Sequence, residues 1–115
     1  MVTLGNEGAH ELTDYIRPSV QQASWHNLGQ ARNNTKLALD EVRACVVPTP
    51  TIDSDLVRVD QCCNELFERL ETQCCFPGDE TIGPARAAAL DAIEQLCEGL
   101  VNAVPSGRAK KLRMA

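Results

Sequence analysis

Aromatic residues are scarce in this sequence and make up only 3% of its 115 positions. A chain of this length buries a modest core, and with so few large rings that core has to be built from aliphatic side chains. Ala, Leu, Gln and Glu, which favour helices, are abundant instead. We therefore expect an all-α protein whose helices pack along aliphatic seams.

Long apolar runs are also missing. No stretch approaches about 18 consecutive apolar residues, so we expect no membrane span. The first ten residues, MVTLGNEGAH, lack both the basic start and the apolar centre of a secretory signal. On that basis we expect a reducing compartment, in which the six cysteines are thiols rather than disulfides.

Residue types that carry enzyme chemistry are sparse. His10 and His26 are the only histidines, and the chain has no glycine-rich loop suited to phosphates. No nucleophile has a partner base at a recognisable spacing. We therefore expect neither catalysis nor a cofactor.

Two cysteine pairs, Cys62 with Cys63 and Cys74 with Cys75, raise the alternative of a zinc site. Zinc ligands usually lie two to four residues apart within each half of a site, whereas adjacent residues on a helix diverge by about 100°. This spacing favours Cys63 and Cys74 as small apolar groups in the core. Zinc-dependent structure remains an alternative.

Apolar spacing predicts two helical segments in the first half of the chain. The first covers about residues 9–28, and Pro18 inside it predicts a kink or a restart at Ser19. The second covers about residues 30–47. The prolines of VVPTPT forbid its continuation.

The second half of the chain predicts two further helices. Asp53 or Ser54 can cap the third, which has the most regular apolar seam and ends before Pro77. The fourth opens at Gly83 with a proline in its first turn. The expected seam of the third helix consists of Ile52, Leu56, Val59, Cys63, Leu66 and Leu70, and that of the fourth of Leu90, Ile93, Cys97, Leu100 and Val104.

We expect one helical domain, residues 1–107, followed by a basic flexible tail, residues 108–115. The tail, RAKKLRMA, carries four cations and no seam. It is open to three interpretations: a nuclear import signal, a nucleic-acid contact or a solvated tail. The shortness of the motif favours the solvated tail.

Cations on the second helix give the first functional signal. Arg32, Lys36 and Arg43 share a narrow arc that borders the apolar seam, at about 100° per residue. The net charge is −5, but residues 46–80 hold eight acids against two arginines, so we expect the acids on an opposite face. The simpler alternative is a solvated face with local ion pairs such as Lys36 with Asp40.

The residues between His10 and Val46 share one ungapped register with a viral family. The shared positions are Glu11, Leu12, Asp14, Ile16, Val20, Ala23, Ala31, Asn33, Asn34, Leu39, Asp40, Ala44 and Cys45. On this match, which covers about a third of the chain, the sequence resembles the short RNA-silencing suppressor, called B-two, that insect nodaviruses encode beside their replicase.

The resemblance implies a long antiparallel helical hairpin that dimerises into a four-helix bundle, here with an additional C-terminal helix. It also implies sequence-independent binding of double-stranded RNA and small interfering RNA duplexes in the host cytoplasm. Binding of this kind shields long duplexes from host Dicer, itself a possible partner, and sequesters small interfering RNA. The chain departs from the family at Pro48 and Pro50, where the family's second helix continues and a basic residue is usual.

Carried over by position, Lys36 falls in the basic patch of the family and Arg43 in a neighbouring turn. Arg58 matches a later arginine of the family if the region from Pro48 is a small insertion. Arg32, from its arc, and Arg69, eleven residues after Arg58, complete the expected RNA-binding set. We further expect a dimer through the seam of the third helix or the seams of the first two. The rival interpretation is a helical-bundle adaptor that binds a protein partner in a groove between two helices.

Overall fold

The computed structural model describes residues 9–10, 12–73, 78 and 80–102. Of these residues, 83% are helical, so the predicted all-α class is confirmed. They form a π-helical turn, Leu12–Ile16, and four α-helices: α1 Arg17–Gln22, α2 Leu28–Cys45, α3 Pro50–Glu71 and α4 Ile82–Val101. Among the residues described, no helix combines the length and the apolar character needed to cross a membrane.

The π-helical turn passes directly into α1 at Arg17, and Ile16 at the junction has helical backbone angles of φ −76° and ψ −50°, so the helix does not restart at the predicted Ser19. Pro18 has no backbone N–H to give to the preceding turn, and it lies in the first turn of α1, where no such donor is needed. The residues before it wind as a π-helix. The Ser19 hydroxyl donates to the Tyr15 carbonyl at 2.8 Å and so occupies one acceptor near the junction.

The predicted break between the second and third helices is confirmed. α2 ends at Cys45, and Val46 is extended with φ −131° and ψ 154°. The predicted cap of the third helix is wrong: Thr49 caps α3, and its hydroxyl accepts from the Ile52 amide at 3.1 Å. Pro50 takes the first helical position, so the helix begins before Asp53 or Ser54.

α3 runs antiparallel to α2, since Arg32 near the start of α2 contacts Glu71 at the end of α3. α4 runs antiparallel to α3, since Arg69 late in α3 contacts Thr81 at the start of α4. α4 also packs against the N-terminal segment. The C-terminal helix therefore closes the core and is not an appendage to a hairpin. Side-chain contacts that fix this order join Ser19 to Asn34, Arg32 to Glu71, Arg58 to Asp91 and Arg17 to Glu94.

The predicted seams form the core. In the first two segments Leu12, Ile16, Val20, Ala23, Ala31, Thr35, Ala38 and Val42 are buried, and Leu28 and Cys45 are partly buried. The whole predicted seam of α3 is buried, together with Phe67. In α4, Ile93, Cys97 and Leu100 are buried and Leu90 is partly buried. The chain's own helices already cover these seams, and the predicted dimerisation through them stays a prediction.

Cys63 is 1% exposed, as predicted for a small apolar core group. Burial, helped by the neighbouring Cys62 and Asp60, raises the pKa of the Cys63 thiol to about 12. Cys74 and Cys75, Val104 and the basic tail lie outside the described residues, so their predicted roles stay predictions.

Candidate nucleic-acid interface

Three of the predicted cations lie together along one wall of a groove between α2 and α3. Arg32, Lys36 and Arg43, which we call the basic stripe, line this groove over eleven residues of helix, or about 16 Å. The cavity along the stripe has a volume of about 250 Å³, and the buried Leu39 and Phe67 lie in its lining. The arc of cations predicted from the sequence therefore faces α3.

The opposite wall of the groove carries acid and amide groups. Asp60 and Asn64 of α3 line the same cavity as the stripe. At one end of the groove, Arg32 Nη2 lies 3.0 Å from Glu71 Oε2. The expectation that the acids of residues 46–80 lie on an opposite face is thus wrong for Asp60 and Glu71, because α3 folds back against α2.

Availability differs among the three cations of the stripe. Arg43 pairs with Asp40 at 3.4 Å. The local ion pair predicted as the simpler alternative therefore forms at Asp40, but with Arg43 and not with Lys36. Lys36 is exposed and forms no ion pair within the part of the chain that the structure describes. Lys36 is therefore the cation most free to meet an external anion.

Arg58 and Arg69 lie on the other flank of α3, beside α4. Arg58 pairs with Asp91 at 3.2 Å and also bonds Gln95, while Arg69 contacts Glu65 at 2.8 Å and the Thr81 hydroxyl at 2.6 Å. Their eleven-residue spacing places both on one flank, as predicted. The structure thus divides the five predicted cations into the stripe and this second pair.

Exposed residues of α3 separate the two cation groups. Gln61, Glu65 and Glu68 project from its outer surface, at helical positions between the groove and the α4 flank. The five cations therefore do not form one continuous basic patch. An anion that contacts both groups has to pass over this acidic ridge.

A turn that the sequence predictions did not include joins α1 to α2. The rings of Trp25 and His26 stack there with centroids 4.1 Å apart, and Trp25 is 48% exposed. The Arg86 guanidinium reaches from α4 to the Ala23 carbonyl at 2.7 Å. The one signal in the sequence was a single tryptophan in a polar turn, which by itself indicates no ligand.

Side chains able to ligate a metal do not converge in the described part of the chain: no group of three or more His, Cys, Asp or Glu residues is placed to hold an ion. The cysteine pair at 74 and 75 lies outside that part. Comparison of the chain with protein-family models, curated proteins and solved structures gives no match.

Proposed function

We propose that this chain binds double-stranded RNA without reading its sequence and acts as a viral suppressor of RNA silencing. The observation that carries the proposal is the basic stripe, in which Arg32, Lys36 and Arg43 lie on one wall of a groove within about 16 Å. The resemblance to the nodaviral suppressors supplies the biological setting. In that setting the protein covers long duplexes against Dicer and retains small interfering RNA in the host cytoplasm.

The chemistry of duplex RNA suits a helical wall of this kind. A-form RNA has a deep, narrow major groove, and it presents phosphates and 2′-hydroxyls across a shallow minor groove. Spaced cations on a rigid helix contact phosphates at fixed intervals, so they recognise the shape of the duplex and not its bases. Each contact releases counterions, which makes the affinity fall as salt rises.

The ion pairs set the order in which the cations contribute. Lys36 is exposed and unpaired among the described residues, so it meets a phosphate at no cost in broken contacts. Arg32 and Arg43 exchange Glu71 and Asp40 for phosphates. Exposed ion pairs are worth little, typically below about 1 kcal/mol, so this exchange is feasible.

A second copy of the chain increases the number of phosphate contacts. Tyr15 and Leu37 are 56% and 55% exposed, and they lie on two segments that pack against each other. We propose that a two-fold dimer covers these side chains and brings two basic stripes to one duplex. Few cations per chain then suffice for several contacts.

The test is a titration of the purified protein with a duplex RNA of about 20 base pairs, a matched duplex DNA and a single strand, at two salt concentrations. Lys36→Gln is expected to weaken duplex RNA binding severalfold for every sequence and to reduce the salt slope by about one. The readout is fluorescence anisotropy of labelled RNA.

Asn102→Asp is the matched control, because it changes the net charge by the same amount at an exposed position that follows α4 and does not line the groove. It is expected to leave the salt slope unchanged. Equal effects of the two variants would mean that net charge, and not the stripe, governs binding. Absence of duplex RNA binding at low salt would remove the proposal.

Arg58→Gln tests whether the arginines on the α4 side of α3 also contact the duplex. If a duplex reaches Arg58, the variant weakens binding to all duplexes alike, while unchanged affinity limits the interface to the stripe. Arg58 also holds Asp91 of α4, so thermal unfolding of the variant is measured alongside.

Binding of a protein partner is the second candidate function. The exposed Tyr15 and Leu37 favour it, since a helical adaptor presents apolar side chains to its partner. This function predicts no response to duplex RNA and little dependence on salt. The same titration therefore separates the two candidates.

A further inference from the structure

We infer that Trp25 and His26 form a stacking surface for the terminal base pair of an RNA duplex that lies along the basic stripe. The inference rests on the proposed function and adds the recognition of duplex ends to it. Four features of the turn between α1 and α2 carry it: its exposed rings, its rigidity, its position and the charge of Arg86.

The first feature is the exposure of a large ring in a chain that has few. Trp25 is the only tryptophan, and nearly half of its surface meets solvent. The rings of Trp25 and His26 lie 4.1 Å apart at an interplanar angle of 32°, so each limits the motion of the other. An exposed aromatic face of this kind binds the π-face of any nucleobase without regard to its sequence.

The second feature is the rigidity of the turn. The Asn27 side chain accepts from the Ser24 amide at 2.7 Å and donates to the Gln22 carbonyl at 3.0 Å. The Asn27 amide in turn donates to the Ser24 carbonyl at 3.2 Å, and Arg86 holds the Ala23 carbonyl. Because these bonds order the backbone before any ligand arrives, stacking on Trp25 loses little conformational entropy.

The third feature is the position of the turn relative to the stripe. α2 begins at Leu28, four residues and about 6 Å before Arg32. Three extended residues add at most about 11 Å, so the Cα atoms of Trp25 and Arg32 lie within about 17 Å of each other. A duplex that follows the stripe and stops at the N-terminus of α2 therefore has its terminal base pair near this turn.

The fourth feature is a positive charge beneath the turn. Arg86 is half-buried, and it forms no ion pair with any carboxylate that the structure describes. Its Nε is buried without a hydrogen-bond partner there. This charge favours a phosphate near the turn and would be of no use to an apolar peptide side chain, so a nucleic-acid end fits the site better.

Trp25 is its own reporter, because the emission of the only tryptophan reports on this turn alone. The protein is titrated with duplex RNAs of about 20 and about 200 base pairs at equal phosphate concentration, so that the number of ends differs about tenfold. If the terminal base pair stacks on Trp25, quenching of the Trp25 emission is expected to rise with the concentration of duplex ends. Anisotropy of labelled RNA measures total binding in parallel.

Substitution gives the second arm of the test. Trp25→Ala is expected to weaken binding of the 20-base-pair duplex between about fivefold and a hundredfold, and Trp25→Phe to retain most of the affinity. Binding per phosphate of the long duplex is expected to change little. Thermal unfolding of both variants serves as the folding control.

Two results overturn the inference, and only the second of them also excludes the proposed function. If duplexes bind and Lys36→Gln weakens them, but Trp25 emission stays constant or follows total phosphate, the end-stacking surface is excluded and the proposed function stands. If neither duplex binds, the inference and the proposed function are both excluded.

Discussion

At the scale of single residues, neighbouring positions on one helix have opposite chemical environments. Cys63 is 1% exposed, whereas the adjacent Cys62 is only partly buried, because successive residues point about 100° apart. Removal from water disfavours the thiolate, so the pKa of Cys63 rises from 9.0 to about 12. The folded protein therefore keeps this proton at a pH where the unfolded chain releases it.

This difference makes stability depend on pH in the alkaline range. Between pH 9 and about 12 the unfolded state binds fewer protons at Cys63 than the native state, so the free energy of unfolding falls as pH rises. The expected contribution is about 1.4 kcal/mol per pH unit. Urea unfolding at pH 8, 9, 10 and about 11 measures it.

Cys63→Ala supplies the control, because other groups also titrate in this range. The variant is less stable at neutral pH but is expected to lose less stability with rising pH than the wild type does. Parallel slopes for the two proteins would show that Cys63 does not stay protonated in the native state.

The residue scale also shows what local sequence reveals. The arc of Arg32, Lys36 and Arg43 follows from helical periodicity alone, and the structure keeps it. The partner of Arg32 does not follow from local spacing, because Glu71 is 39 residues away in the sequence, whereas Asp40 lies only three residues from Arg43. Only the antiparallel return of α3 brings Arg32 and Glu71 together.

At the scale of elements, the position of each proline decides where a helix begins. Pro18 and Pro50 both lie in the first turn of a helix, α1 and α3. The sequence prediction treated Pro18 as a kink or restart and Pro50 as part of a signal that ends a helix. The end before Pro50 is confirmed at Cys45, whereas the helix continues across Pro18. The prediction misplaced the start of α3, because a proline tolerated in the first turn lets the helix begin before Asp53.

The cap of α3 can be tested directly. Thr49→Ala removes the acceptor of the Ile52 amide, so it is expected to lower the free energy of unfolding by about 1 kcal/mol. Ser54→Ala, at an exposed position four residues inside the helix, is expected to change it by less than about 0.5 kcal/mol. Chemical denaturation of both variants measures the difference, and a larger loss for Ser54→Ala would restore the cap predicted from the sequence.

At the scale of the whole molecule, one chain closes its own core. α4 packs along α3 and against the N-terminal segment, so the apolar seams are covered without a second copy. Helical periodicity identified the buried positions but not what covers them. An apolar face has the same sequence pattern whether another helix of the same chain or a second copy covers it. The partner of each seam depends on the topology of the chain.

The exposed apolar side chains carry the prediction of a dimer. Sedimentation equilibrium at micromolar concentration is expected to show two copies. Leu37→Asp is expected to weaken their association at least about tenfold, because it places a charge in the contact. Val57→Asp is the matched control, since Val57 is similarly exposed on α3 and lies outside the proposed contact. A monomeric wild type, or equal effects of both variants, would contradict this dimer.

The alternation of charge across α3 sets the range over which the protein attracts a polyanion. The basic stripe and the arginines beside α4 are separated by roughly one helix diameter, about 10 Å, with acids between them. At 0.1 M salt the Debye length is also about 10 Å, so a phosphate senses the nearest stripe. At 0.01 M salt it is about 30 Å, so the same phosphate also senses the net charge of −5, which offsets part of the attraction of the stripe. Duplex affinity is therefore expected to rise toward low salt less steeply than the stripe alone would make it rise, so the acidic residues set how strongly binding responds to ionic strength.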